Sequence, residues 1–212
     1  MVNIPPGITH DGPMVEVASG GVEHDWIKYE KVKEYTNAFV ILNDQKVLLG
    51  LKKRGFGVGL WNGFGGKVDP GETPAQAAVR ELEEEAGITA PLRQCGTLFF
   101  VENTMDAAFN ISVFCAYEYS GTITESDEMR PEWFSIPEDL LPRTNPLTTV
   151  DHGDNAAALP PIPLSKMWAD DEFWMPAMFG RRHFVGRADF GVDNKMIKWW
   201  FGAAPAATGD SV

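Results

Sequence analysis

Hydrophobic positions change period along the chain, and the changes mark its elements. Residues 37–42 are apolar and partly β-branched, Asn43-Asp44 interrupts them, and 46–51 resume the run. That spacing predicts two strands joined by a turn. From 73 to 86 the period becomes helical, with Ala75, Ala78, Val79, Leu82 and Ala86 as the apolar stripe. Thr73 suits the N-cap, Pro74 the first helical position, Gln76 a capping box, and Gly87 the stop. Residues 95–103 and 109–119, joined at 104–108, read as a hairpin, and 130–136 as a further strand. A second helix is predicted from Asp170 or Asp171, with Pro176 disturbing its early turns. Strands at 183–190 and 196–201, turning at Asp193-Asn194, close the pattern. Strands interspersed with two helices predict an α/β (α+β) fold.

The flanks differ. Residues 1–33 show no sustained periodicity before Trp26 and read as a partly ordered arm, with Val15, Val17, Trp26 and Ile27 available to tack it down. A single domain is expected over 34–202, with a Pro-rich excursion at about 137–163 and a tail at 203–212.

Composition narrows the classes. A chain of 212 residues with 44% hydrophobic content can bury a full core. A formal charge of −12 argues against tracking a nucleic-acid polymer or an anionic membrane. No run approaches the about 20 apolar residues of a membrane helix. Cys95 and Cys115 sit in apolar runs and read as buried free thiols. The four His show no ligand spacing. A cytoplasmic monomer is the expectation, with nuclear or mitochondrial presence left open. Seven Trp are many for this length, and serve either as core or as a stacking surface for a flat ligand.

The candidate chemistry gathers in one stretch. Six Gly between Gly55 and Gly66 let backbone approach a ligand, and Lys52, Lys53 and Arg54 favour phosphate over a merely flexible loop. On the helix that follows, Glu81, Glu84 and Glu85 share one face. Like charges so placed repel unless a cation holds them, so they are candidate ligands of a divalent metal. A solvated helix face is the plain alternative.

From Gly66 through Glu72 to Arg80-Glu81-Leu82, Glu84-Glu85 and Gly87-Ile88, the chain resembles a complete Nudix box. KVLLGLKKRGFGVGLWNGFGGKV, ESDEMRPEWF and KMWADDEFW further resemble those Nudix hydrolases that act on oxidised purine nucleoside triphosphates. The resemblance covers about 36–136 and 164–201. It implies an α-β-α sandwich around a mixed sheet with a loop-helix-loop motif. It also implies Mg2+-dependent cleavage of 8-oxo-dGTP or 2-hydroxy-dATP to monophosphate and pyrophosphate, with Mn2+ able to substitute. Glu81, Glu84, Glu85, the Gly65 carbonyl and Glu128 would hold metal, and Glu85 is the favoured base among the catalytic glutamates. Asn37, Lys52, Phe56, Asn62, Phe64, Gly65, Gly66, Lys67, Trp168, Asp170 and Asp171 would meet substrate, while Gly66, Glu72, Arg80 and Gly87 support the motif. Asn37 departs from the Thr of mammalian-type members. Asp170-Asp171 also suits a plain helix N-terminus, Glu128 a plain loop acid, and Trp168 plain core. Another Nudix substrate, a methylated purine nucleotide or a dinucleotide polyphosphate, and a catalytically silent binding module stay open.

Overall fold

A computed structural model describes residues 4–103, 107–141, 159–192 and 195–206. In chain order the strands are β1 Val15–Gly20, β2 Lys31–Leu42, β3 Lys46–Lys52 and β4 Trp61–Asn62; helix α1 is Pro74–Ala86. Then come β5 Ile88–Thr89, β6 Arg93–Glu102, β7 Ala107–Ala116, β8 Ser120–Gly121 and β9 Met129–Ser135. Helix α2, Asp171–Phe179, precedes β10 Phe184–Phe190 and β11 Met196–Ala203.

Nine strands form one mixed sheet in the order β1-β11-β10-β6-β7-β2-β3-β4, with β9 joined to β3. The pairs β2–β7 and β6–β10 are parallel, and the others in it are antiparallel. Side chains alternate across a strand, which divides β2 between two cores. Ala38 and Val40 face α1 with Ala78 and Leu82, and Phe39 and Ile41 face α2 with Trp174 and Met178. The helices therefore lie on opposite faces, as the expected sandwich requires.

Helix α1 starts and stops by local rules. Thr73 and Gln76 complete both halves of a capping box, and Gly87, at φ 72°, donates its N–H to Glu83 O. Its buried arc differs from the predicted stripe. Ala77, Ala78, Leu82, Glu85 and Ala86 are buried, whereas Ala75 and Val79 are exposed. The helix is rolled so that Glu85 lies against the sheet.

The arm carries more structure than its pattern suggests. β1 adds to the sheet edge beside β11, and β2 already begins at Lys31. Val15 and Val17 stay exposed; Ile4, Ile8, Met14 and Trp26 supply the apolar contact instead. A buried ion pair anchors the arm. Arg187 grips Asp189 at 2.8 and 3.1 Å and donates to Pro6 O and Ile27 O, and the Ile27 N–H donates to Asp189. Trp26 lies under the guanidinium at 4.7 Å. Of the Pro-rich excursion, 142–158 lies outside the described residues, as do 104–106 of the hairpin connection and the turn at Asp193-Asn194. The described ends of the excursion are tied down: Leu140 and Ile162 enter the core, and Pro161 bridges Ser135.

Candidate active site

The loop after β3 and helix α1 converge on Glu85. Its side chain is 3% exposed, and its Oε2 accepts the Gly65 N–H at 2.8 Å. Burial pushes its carboxyl up to about 7, against the pull of Lys52 and the Gly65 N–H. Lys52, at the end of β3, donates to Glu85 at 3.2 Å and to Glu128 at 2.5 Å. Burial alone would lower the Lys52 ammonium, but the Glu128 hydrogen bond and the Glu85 charge hold it above its usual range. The same bond holds Glu128 below the usual carboxylate range.

Arg80 organises the other side of the helix. It grips Glu72 at 2.8 and 2.9 Å and reaches Glu81 at 2.9 Å and Glu84 at 3.3 Å. Two parallel bonds to one carboxylate fix the loop before the helix relative to its middle. Glu81 rests on Gly66, where a Cβ would come within 2.5 Å of the carboxylate oxygen. Any side chain at Gly66 would displace it.

These donors suit a hard divalent cation: carboxylate oxygens with room for water and phosphate. The Lys52 ammonium between Glu85 and Glu128 marks a position where they already hold positive charge. Among the described residues, no three His, Cys, Asp or Glu side chains stand close enough together to enclose an ion. Glu81 and Glu84 are turned onto Arg80, and Glu85 and Glu128 onto Lys52, so ligation requires these acids to exchange their cationic partners.

On the α2 face lies a second group. Asp170 and Asp171 are 1% and 3% exposed. Asp170 accepts the Trp174 indole N–H at 3.0 Å, its other oxygen is buried without a partner among the described residues, and Asp171 accepts the Trp168 backbone N–H at 3.1 Å. Burial raises both carboxyls, and the Asp170 charge raises Asp171 further. Phe56, 72% exposed, stacks on Trp168 with ring centroids 5.0 Å apart. Asn37 donates to Asn62 Oδ1 at 2.8 Å, which also accepts the Gly63 N–H. Two donors on that oxygen leave the Asn62 amide nitrogen facing away from them. The two subgroups connect through Phe39, which packs on Trp174 at 5.7 Å and lies against Gly63.

Several expected roles need correction. Phe64 is fully buried under α1 with Val40, Leu48 and Leu82, so it offers no face to a base. Gly65 makes a contact that was not expected, its N–H donating to Glu85. Lys67 is exposed and bridges Tyr35 through its backbone. Lys53 and Arg54, read as phosphate-facing, pair with Glu125 and Glu128. Asp170 does occupy the N-cap position of α2 with Asp171 in the first turn, but its side chain makes no cap bond. Three features were missed: the Lys52 bridge, the Asn37–Asn62 amide pair and the Trp174 bond to Asp170. Only the last had a sequence signal, the i, i+4 spacing within DDEFW.

A NUDIX domain profile matches residues 33–149. The chain is 41% identical over 152 residues to an oxidized purine nucleoside triphosphate hydrolase of Danio rerio, spanning 71% of this chain and 83% of the relative. A protein of the same name from Mus musculus is 38% identical over 161 residues, spanning 76% and 88%. The crystal structure of a mutator MutT protein from Bacillus halodurans superposes with a TM-score of 0.60 at 25% identity, covering 80% of this chain and 97% of that one. No helix among the described residues is long and apolar enough to cross a membrane. With a profile match over more than half its length, and relatives aligned over most of theirs, this chain belongs to the Nudix hydrolase family.

Proposed function

We propose that the chain hydrolyses oxidised purine (deoxy)nucleoside triphosphates, such as 8-oxo-dGTP and 2-hydroxy-dATP, to monophosphate and pyrophosphate, as a Mg2+-dependent monomer. The observation that carries the reaction is the buried Glu85 facing the Lys52 ammonium, with Glu128 completing a cation position. The substrate rests on the named activity of the two relatives and on the buried, partner-poor acids Asp170 and Asp171 beside Trp168.

Glu81, Glu84, Glu85, Glu128 and the Gly65 backbone would hold the ion, with Mn2+ able to substitute. When bound, the ion neutralises phosphate charge and polarises the bond to be cleaved. Released from Glu85 and Glu128, Lys52 turns to the phosphates. Glu85 takes a proton from the attacking water, its carboxylate aimed by the Gly65 N–H bond to Oε2. Phe56 moves off Trp168 and a purine takes its place on the indole face. Asn62 presents its amide nitrogen to the base, held that way by Asn37. Asp170 and Asp171, burial having raised both, carry one proton between them and so present a donor and an acceptor to the purine edge.

Pyrophosphate release across a panel of oxidised and ordinary nucleotides, with and without Mg2+, tests the reading. Release from oxidised purines above their parents, and only with metal, is expected. Equal release from both would break the substrate assignment, and no release from any nucleotide would break the reaction.

A further inference from the structure

Cys95 and Cys115 lie outside the catalytic machinery, and they are the chain's two cysteines. Both are free thiols, Cys115 buried and Cys95 half-buried. They stand on neighbouring antiparallel strands, β6 and β7. The pairing of these strands slips between Gln94 and Gly96, leaving Cys95 as the extra residue. A bulge of this kind re-aims a side chain. Here the result is a separation of 2.6 Å between the Cys95 and Cys115 sulfurs. The Cys95 thiol also reaches the Val113 carbonyl at 3.5 Å.

The pair opens onto solvent. A cavity of about 200 Å³ is lined by both cysteines with Arg93, Tyr117, Arg181, Arg182 and His183. The thiolate is the nucleophile in thiol oxidation, and the cavity gives peroxide a path to it. Arg181 is held there by stacking on Tyr117 at 4.0 Å and by pairing with Asp44 at 2.9 Å. Cys115 is buried and Cys95 half-buried, so Cys95 meets peroxide first.

We propose that Cys95 and Cys115 are a peroxide-oxidisable pair that closes reversibly into a disulfide across β6 and β7. The Cys95 thiolate attacks one oxygen of hydrogen peroxide. The O–O bond breaks, and hydroxide leaves and takes up the thiol proton as water, leaving Cys95 as sulfenic acid. The Cys115 sulfur then attacks the Cys95 sulfur, the S–O bond breaks, and a second water leaves with the Cys115 proton. Two thiols lose two electrons and one peroxide is reduced to two waters. A dithiol reverses the step by exchange. The short separation favours this closure over further oxidation of Cys95 or capture by a second chain.

The test uses the full chain, reduced, then exposed to hydrogen peroxide and read by intact mass and by thiol titration in denaturant. The wild type is expected to lose two hydrogens, retain no titratable thiol, remain one chain in mass, and recover both thiols with dithiothreitol. In Cys115→Ser, Cys95 is expected to gain oxygen instead. In Cys95→Ser, Cys115 is expected to keep its thiol, a readout that requires only a folded chain. The proposal is overturned if wild-type Cys95 gains oxygen that dithiothreitol cannot remove. Cross-linking between chains, or two surviving thiols under peroxide that oxidises free cysteine, overturns it equally.

Discussion

Helices α1 and α2 each present acids to the site, and they hold them by opposite means. The acids of α1 face cations: Glu81 and Glu84 share Arg80, and Glu85 shares Lys52 with Glu128. Among the described residues, the acids at the start of α2 have no basic partner; they are buried, take N–H donors, and leave one Asp170 oxygen unpaired. Charge that is already compensated can be handed to a different cation. Charge that is desolvated and uncompensated prefers to be protonated. The first arrangement suits metal and phosphate chemistry, and the second suits recognition by proton position on a neutral base. The sheet lies between them, so one strand, β2, serves both: Thr36 and Ala38 pair with the loop carrying Gly66 and Phe64, and Asn37 reaches to Asn62.

The sharpest break of this comparison is Glu85→Gln. Removing a positioned general base costs about 10²–10⁴ in turnover. Turnover is expected to fall by about 10³ on every accepted nucleotide, with the ratio between oxidised and ordinary purines unchanged. Steady-state kinetics on both classes checks this. Near-normal turnover in a folded variant would remove Glu85 from the mechanism.

The mirror-image change acts on α2. Asp170→Asn or Asp171→Asn fixes a donor where a proton now chooses its place. A mismatched buried hydrogen bond costs about 1–3 kcal/mol. Preference for oxidised over ordinary purines is expected to fall by about tenfold to hundredfold in kcat/KM, with hydrolysis of the ordinary nucleotide retained. An unchanged preference would dissociate the acid pair from base recognition.

Glu85 links the two arrangements, because burial raises its carboxyl as it raises those at the start of α2. Burial pushes the Glu85 carboxyl up to about 7, from about 4.3 in a free glutamate, so it keeps its proton to higher pH. Metal must displace that proton, so affinity for Mn2+ without nucleotide is expected to weaken about tenfold per pH unit below 7, seen by calorimetry. Because folding raises this carboxyl, folding binds a proton, and stability falls as pH rises from about 4.5 through 7. At pH 8 Glu85→Gln is therefore expected to be more stable than the wild type by about 3 kcal/mol, read by denaturant unfolding. The difference should close toward pH 4.5. A constant offset across that range would mean that Glu85 burial carries no charge penalty.

The same contrast explains what the sequence made legible. Every signal for α1 is local: Thr73, Pro74, Gln76 and Gly87 act within the helix or one residue from it. Its three acids share a face by spacing alone. The roll of α1 was not legible, because the packing of Leu82 and Ala86 under Phe64 and Met129 decides which side is buried. In α2 little is local. Its N-cap makes no side-chain cap bond, Pro176 lies inside it, and Gly180 ends it at φ −76° rather than in the left-handed region. It is held by Trp174 stacked on Phe184 at 5.1 Å and by Phe39 beneath. Phe39 comes from a strand far away in the chain, so only the WADD and DDEFW spacings hinted at the pocket. The arm was hardest to read, since its partner Arg187–Asp189 lies at the other end of the chain.

The smallest predicted effect separates helix stability from site chemistry. Thr73→Ala removes the oxygen that accepts the Gln76 N–H and the hydroxyl bond back to the Gln76 side chain. Loss of an N-cap costs about 1 kcal/mol, which for a domain of this size lowers Tm by about 2–4 °C. The Arg80–Glu72 clamp spans the same loop-helix junction independently of the cap, with bonds of 2.8 and 2.9 Å. The glutamates should therefore keep their places, and turnover at 25 °C and the oxidised-to-ordinary ratio should both stay within about twofold. If Thr73→Ala instead lowered turnover tenfold while Tm moved only a few degrees, the cap would be positioning Glu81 and Glu85. The start of α1 would then belong to the site as closely as the start of α2 does.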